Sequence, residues 1–142
     1  MARSGESEFS TALIKKLNKH PVANFRKISD RYQVNIPDII GCFMGRHISI
    51  ESKVENVVSP KKKIPTGHPF TAGQVKELKE NLRCGGGAYG AIACGYNVWI
   101  FDPNTIDEKG KVTIDQAICS FDMRDIRPLF KLMEDELSQR KI

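Results

Sequence analysis

The sequence predicts a mixed α/β fold, one β-sheet flanked by helices, and three observations carry that prediction. Apolar residues recur at helical spacing in separate stretches, alternate or run together between them, and glycines and prolines divide the two kinds of segment. The resulting order is helix, strands, helix, strands, helix, which surrounds a single sheet. With 142 residues the chain is expected to form one domain with a core that needs no disulfides.

Phe9, Leu13 and Leu17 mark the first helix, Ser7 to Lys19, and Pro21 closes it. Asn24 to Arg31 is expected to be a strand with Phe25 inward. Ile36 to Lys53 holds two apolar runs broken near Gly45, the pattern of a β-hairpin. Between Glu55 and Pro69 the run of Pro60, Lys61, Lys62, Lys63, Pro65, Gly67 and His68 excludes a regular element and predicts a flexible basic loop. Thr71 is a candidate N-cap for a second helix to Arg83, with Val75, Leu78 and Leu82 on its buried stripe. Gly85-Gly86-Gly87 stops it. Ala88 to Cys94 and Asn97 to Phe101 predict two strands joined at Gly95, and Val112 to Ile114 a third. Asp122 to Gln139 repeats Ile126, Leu129, Phe130, Met133 and Leu137 at helical spacing, with Pro128 near the helix start.

Reversal of the hairpin between Met44 and Arg46 sets Asp38 opposite the stretch from Glu51 to Lys53. Side chains alternate along a strand, so Ser49, Glu51 and Lys53 share one face and Ser52 points to the other. Two carboxylates and an ammonium among apolar neighbours are costly unless used, and a divalent metal is the obvious use. Asp38 and Glu51 offer hard oxygen ligands for Mg²⁺, the Ser52 carbonyl a third, and Lys53 a charge to orient water or stabilise a phosphate. The chemistry this suits is hydrolysis of a phosphodiester.

The net charge of +5 favours a polyanionic partner. Lys61, Lys62 and Lys63 leave the metal-site strand directly. Lys15, Lys16, Lys19, Arg26, Lys27 and Arg31 form a second basic region, and His68 is a further candidate phosphate contact. No device for reading base sequence is visible, which favours recognition of DNA shape. Cys42, Cys84, Cys94 and Cys119 form no metal-ligand spacing and read as reduced core thiols. No apolar run is long enough for a membrane span and Met1 to Glu8 is polar, so a cytoplasmic compartment is expected.

Ile36-Pro37-Asp38, the hairpin, and Ile50-Glu51-Ser52-Lys53 together resemble the PD-(D/E)XK nuclease signature. The details are similar to the VRR-NUC branch and to archaeal-type and phage Holliday junction resolvases. The resemblance implies a restriction-endonuclease-like core over about residues 6–101, with 102–142 as an appended hairpin and helix. It implies that a first-helix glutamate joins the site, Glu8 in preference to Glu6, and that Gln74, early in the helix after the catalytic strand, belongs to it. Ser52 replaces the bulkier residue common between the glutamate and the lysine; its side chain is expected to have little effect. The implied activity is cleavage of branched DNA in recombination or repair, with Mg²⁺ or Mn²⁺. A homodimer follows for a four-way junction, its interface drawn from the C-terminal helix or the strands between Ala88 and Phe101. The rival expectations are a flap or other structure-selective nuclease, and a DNA-binding module without catalysis.

Overall fold

The computed structural model describes residues 4–28 and 35–139. Three helices enclose a six-stranded sheet: α1 (Ser4–Leu17), β1 (Ala23–Lys27), β2 (Ile39–Phe43), β3 (Arg46–Val54), α2 (Ala72–Arg83), β4 (Gly87–Cys94), β5 (Asn97–Phe101), β6 (Cys119–Asp122) and α3 (Arg127–Gln139). The strands lie in sequence order, and every neighbouring pair is antiparallel except β3 and β4. Those two are joined through α2, because a parallel pair needs a long crossover.

Strand alternation divides the core into two layers. Ile48 and Ile50 of β3, Tyr89, Ala91 and Ala93 of β4, and Val98 and Ile100 of β5 pack with Phe9, Leu13 and Leu17 of α1 and Leu129 and Met133 of α3. The opposite face carries Ile92, Phe101 and Phe70, with Val75 of α2 against them. Both layers bury branched and aromatic side chains, and this burial is the main favourable contribution to folding. Leu129 and Met133 of α3 are thereby buried within the chain, while Phe130, Leu132 and Leu137 stay half-exposed on the same helix. Arg46 anchors α3 from below: its Nη2 donates to the Gly86 carbonyl at 3.0 Å, its Nη1 lies 3.8 Å from Glu136, and the Tyr89 hydroxyl also bonds Glu136.

The free edge at β1 is partly closed. The Asn18 side-chain amide bonds both main-chain groups of Phe25, at 2.9 and 2.7 Å, so neither offers a template for another strand.

The segment after β5 departs from expectation. Val112 makes only an isolated bridge to Ile64, and residues 114–116 form a 3₁₀ turn in place of a strand. The sixth strand is instead the short polar Cys119–Asp122. The helix expected from Asp122 begins at Arg127, since residues 122–125 form a turn held by the Asp125 N–H to the Asp122 carbonyl. The thiols differ too: Cys42 and Cys84 are exposed and Cys94 and Cys119 half-buried, all four free. Cys42 lies on a strand of the core, but its side chain takes the face that α2 leaves uncovered. Among the described residues no helix is long and apolar enough to cross a membrane.

The β2–β3 turn consists of Met44 and Gly45 alone, at φ 51° and 83°. Positive φ at both positions matches the twist of the flanking strands, and it is unfavourable for methionine. Met44 is half-exposed, so replacing it loses little packing. Met44→Asn is expected to raise the unfolding free energy by about 1 kcal/mol in urea denaturation, because asparagine tolerates this conformation.

Candidate active site

The two-residue turn pairs Ile39 with Ile50, which brings Asp38 level with Glu51 at the far end of the hairpin. The Asp38 N–H donates to Glu51 Oε2 at 3.0 Å. Glu51 and Lys53 are both buried, on the sheet face that packs α2. The Lys53 ammonium lies 5.7 Å from the centre of the Phe70 ring, which shields its stem from water.

Each carboxyl is held by a different helix. On the α2 side, Gln74 Nε2 donates to Glu51 Oε1 at 2.6 Å. The same glutamine accepts from the Thr71 N–H at 2.9 Å, while Thr71 Oγ1 accepts from the Gln74 N–H at 3.1 Å. This reciprocal cap fixes the start of α2 and aims Gln74 at Glu51 in one arrangement. Two turns further along the face, Asn81 Nδ2 donates to Ser49 Oγ at 2.6 Å, and Ser49 lies 3.3 Å from His47 Nε2.

On the α1 side, Asp38 reaches over the end of β2. Its Oδ1 accepts from the Ser52 N–H at 2.9 Å and its Oδ2 from Ser10 Oγ at 2.8 Å, and Ser52 Oγ bonds Oδ2 as well. The Ser52 side chain does point to the opposite face from Glu51, as alternation requires. It is not isolated there, because the Asp38 carboxyl turns onto that same face and bonds it.

Glu8 does not come to the carboxyl pair. It is exposed and lines a cavity of about 440 Å³ with Phe9, Lys16, Tyr96 and Arg124. Helical geometry is the reason: Ser10, which touches Asp38, and Glu6 are four residues apart on one face, and Glu8 lies two residues off it. Glu6 is buried on that face. Among the described residues no group of three or more Asp, Glu, His or Cys side chains gathers to hold a metal, so neither glutamate makes a third acid.

The basic candidates fall in several places. Lys15, Lys19, Lys61 and Lys62 are exposed, as is His68. Lys27 bonds the Ser7 hydroxyl, and Lys16 belongs to the cavity with Glu8. Lys63 pairs with Asp107 at 2.6 Å, and this bond, with main-chain donors, holds the Asp107 carboxyl down at about 2. Arg31 lies outside the described residues. Arg26 lines a shallow cavity of about 250 Å³ with Asn24, Ile40, Gly41, Cys42 and His47. The basic loop is docked from its middle onward: Glu55 accepts from the Thr66 N–H and hydroxyl, each at 2.8 Å, and Ile64 pairs with Val112. Gly110 seats the far side, where a Cβ would collide with the Phe70 carbonyl.

The carboxyl pair has unusual electrostatics. Burial, then the neighbouring Asp38, raise Glu51 from 4.5 to about 9, while Lys53 opposes the shift. Two crowded carboxyls with all-oxygen donors fit a hard divalent cation. Mg²⁺ commonly takes one or two carboxylates and leaves its other positions to carbonyl, water and phosphate oxygens, which is what Asp38, Glu51 and the Ser52 carbonyl would offer.

No family model matches the chain, and no curated protein matches it. A solved structure does: Hjc from Archaeoglobus fulgidus, a Holliday junction resolvase from an archaeal hyperthermophile. The match has a TM-score of 0.61 at 18% identity and covers 84% of this chain and 92% of that one. The fold is restriction-endonuclease-like.

Without a metal, burial and the neighbouring Asp38 favour the protonated form of Glu51 in the fold, whereas the unfolded chain ionises it above 4.5. The proton uptake makes wild-type stability fall as pH rises from about 4.5 to about 9. In EDTA, Glu51→Gln is expected to remove this slope, so the wild type loses ground to the variant between pH 5 and pH 9 in urea titrations. Parallel curves would show that Glu51 is ionised throughout.

Proposed function

We propose that the chain is a metal-dependent endonuclease that hydrolyses phosphodiester bonds in branched DNA, with the four-way Holliday junction as its substrate. The observation that carries this reading is the constellation of half-buried Asp38 with buried Glu51 and Lys53, presented by a hairpin in a fold shared with a Holliday junction resolvase. Asp38, Glu51 and the Ser52 carbonyl would hold Mg²⁺, with Mn²⁺ as a substitute. When bound, the metal supplies charge to polarise the phosphate and to lower the pKa of water.

The chain's own residues supply the rest. Lys53 sits on the strand face of Glu51, where its ammonium can orient the attacking water or neutralise charge developing on the phosphate. Gln74 holds the Glu51 carboxylate, and the aromatic wall at Phe70 keeps bulk water from the lysine. Arg26, Asn24 and His47 lie on this same sheet face by register, since Asn24 pairs with Cys42, Cys42 with His47, Arg26 with Ile40 and Ile40 with Ser49. They offer a strand of DNA a guanidinium, an amide and an imidazole beside the carboxyls, and Lys61 and Lys62 offer exposed charge from the loop that follows β3. Symmetrical cutting of a four-way junction needs two sites, hence two copies of the chain.

Asp38→Ala and Glu51→Ala are each expected to abolish Mg²⁺-dependent cleavage of a four-way junction while leaving its binding in gel shifts. Matched junction, flap and duplex substrates, combined with gel filtration, separate a dimeric resolvase from a flap nuclease. A wild type inactive with both Mg²⁺ and Mn²⁺ would falsify the nuclease reading in favour of a binding module. Arg26→Ala with His47→Ala is expected to weaken junction binding several-fold and to reduce its salt dependence by roughly one unit of slope per lost phosphate contact.

A further inference from the structure

The metal-site reading assigns no task to the hydroxyl groups beneath Asp38, and the geometry there is specific. Ser10 and Ser52 are buried, at 0% and 2% exposure, one on α1 and the other on β3. Their oxygens are 3.0 Å apart, and both lie within hydrogen-bond reach of Asp38 Oδ2. Ser10 has two other acceptors in reach, Ser52 Oγ and the Glu6 carbonyl at 2.8 Å, the latter the usual partner of a serine inside a helix. A carboxylate oxygen attracts a hydroxyl proton more strongly than a carbonyl or another hydroxyl does, so both protons turn to Asp38.

We propose that Ser10 and Ser52 are positioning residues that set the affinity of the site for its divalent cation by fixing the Asp38 carboxylate. A carboxylate offers about four acceptor directions. The two hydroxyls and the Ser52 N–H fill three of them, which leaves one direction, on Oδ1, for a cation. Asp38 is therefore a single-oxygen ligand whose free lone pair is chosen by its serine partners. Without them the carboxylate is free to turn, and it must be ordered each time a metal binds. Groups that orient metal ligands in this way typically change affinity 10- to 100-fold when removed. The inference rests on the proposed metal site and not on the choice of DNA substrate.

The test is calorimetric titration of the DNA-free protein with Mn²⁺ alone. Ser52→Ala and the Ser10→Ala, Ser52→Ala double variant are expected to raise the dissociation constant about 10-fold or more, and Ser52→Thr, which keeps the hydroxyl, to stay within about threefold of wild type. In cleavage assays the same variants need more Mg²⁺ for half-maximal rate. Alanine suits a helix interior and is smaller than serine, so the fold tolerates both changes, and urea denaturation in EDTA reads any loss of stability separately. A double variant with unchanged Mn²⁺ affinity overturns the proposal, whether or not it is less stable. So does equal weakening by Ser52→Thr and Ser52→Ala, or a wild type that binds no Mn²⁺. A wild type that binds Mn²⁺ with the expected serine dependence but cuts no DNA retires the nuclease reading and upholds this one.

Discussion

Met44 and Gly45 leave the β2–β3 hairpin no freedom of register, and the site depends on that restriction. A two-residue turn pairs Phe43 with Arg46, and each further pair follows until Asp38 stands level with Glu51. A slip of one residue would send Glu51 and Lys53 to the layer under α1 and α3 and put Ile50 and Ser52 in their place. The apolar neighbours forbid the slip: Ile48 and Ile50 are fully buried in the first layer, and exchanging them for charged side chains would cost more than any alternative pairing recovers. The same burial that drives the sheet together therefore also specifies which carboxyls meet.

Both layers then converge on the pair. α2 holds Glu51 through Gln74, and α1 reaches Asp38 through Ser10, so each helix docks by its apolar stripe and delivers one polar contact at the seam. A site supported from both faces is ordered before any ligand arrives, which is what precise chemistry requires. The cost appears in Glu51, whose carboxyl is held well above the usual carboxylate range by burial and by the neighbouring Asp38.

Much of this was legible because the hairpin and α2 announce themselves locally. Alternation and Gly45 give the turn, and Thr71 gives the start of α2. Their side-chain register then follows from a period of two or 3.6. The burial of Glu6 in place of Glu8 is legible as well, since Phe9, Leu13 and Leu17 define the buried stripe of α1 and Glu6 and Ser10 fall on it. Other features lacked a local signal. The edge strand Cys119–Asp122 is short and half polar, and only its pairing with β5 makes it a strand. Val112 reads as strand by composition, yet its partner is Ile64 in the loop after β3, a contact between distant segments that no periodicity encodes. The Asp38 rotamer is of the same kind: strand alternation places its backbone, but the side chain follows hydroxyls supplied by residues 28 positions before it and 14 after it.

The distribution of charge completes the argument for where a polyanion would lie. Lys63 is neutralised by Asp107 and Lys16 shares its cavity with Glu8, so part of the positive balance is spent within the fold. Lys61 and Lys62 keep theirs at the exposed part of the loop that leaves β3, and Arg26 keeps its guanidinium at the surface of β1. Glu55, by gripping Thr66, fixes the far side of that loop and limits how far the two lysines can move from the strand bearing Glu51 and Lys53. Under the proposed reading, a phosphate chain attracted to these charges would be drawn over the uncovered sheet face beside Asp38 and Glu51. The outer side of α1, where acid and base are mixed around Tyr96, exerts no comparable attraction, because opposite charges close together cancel within a Debye length.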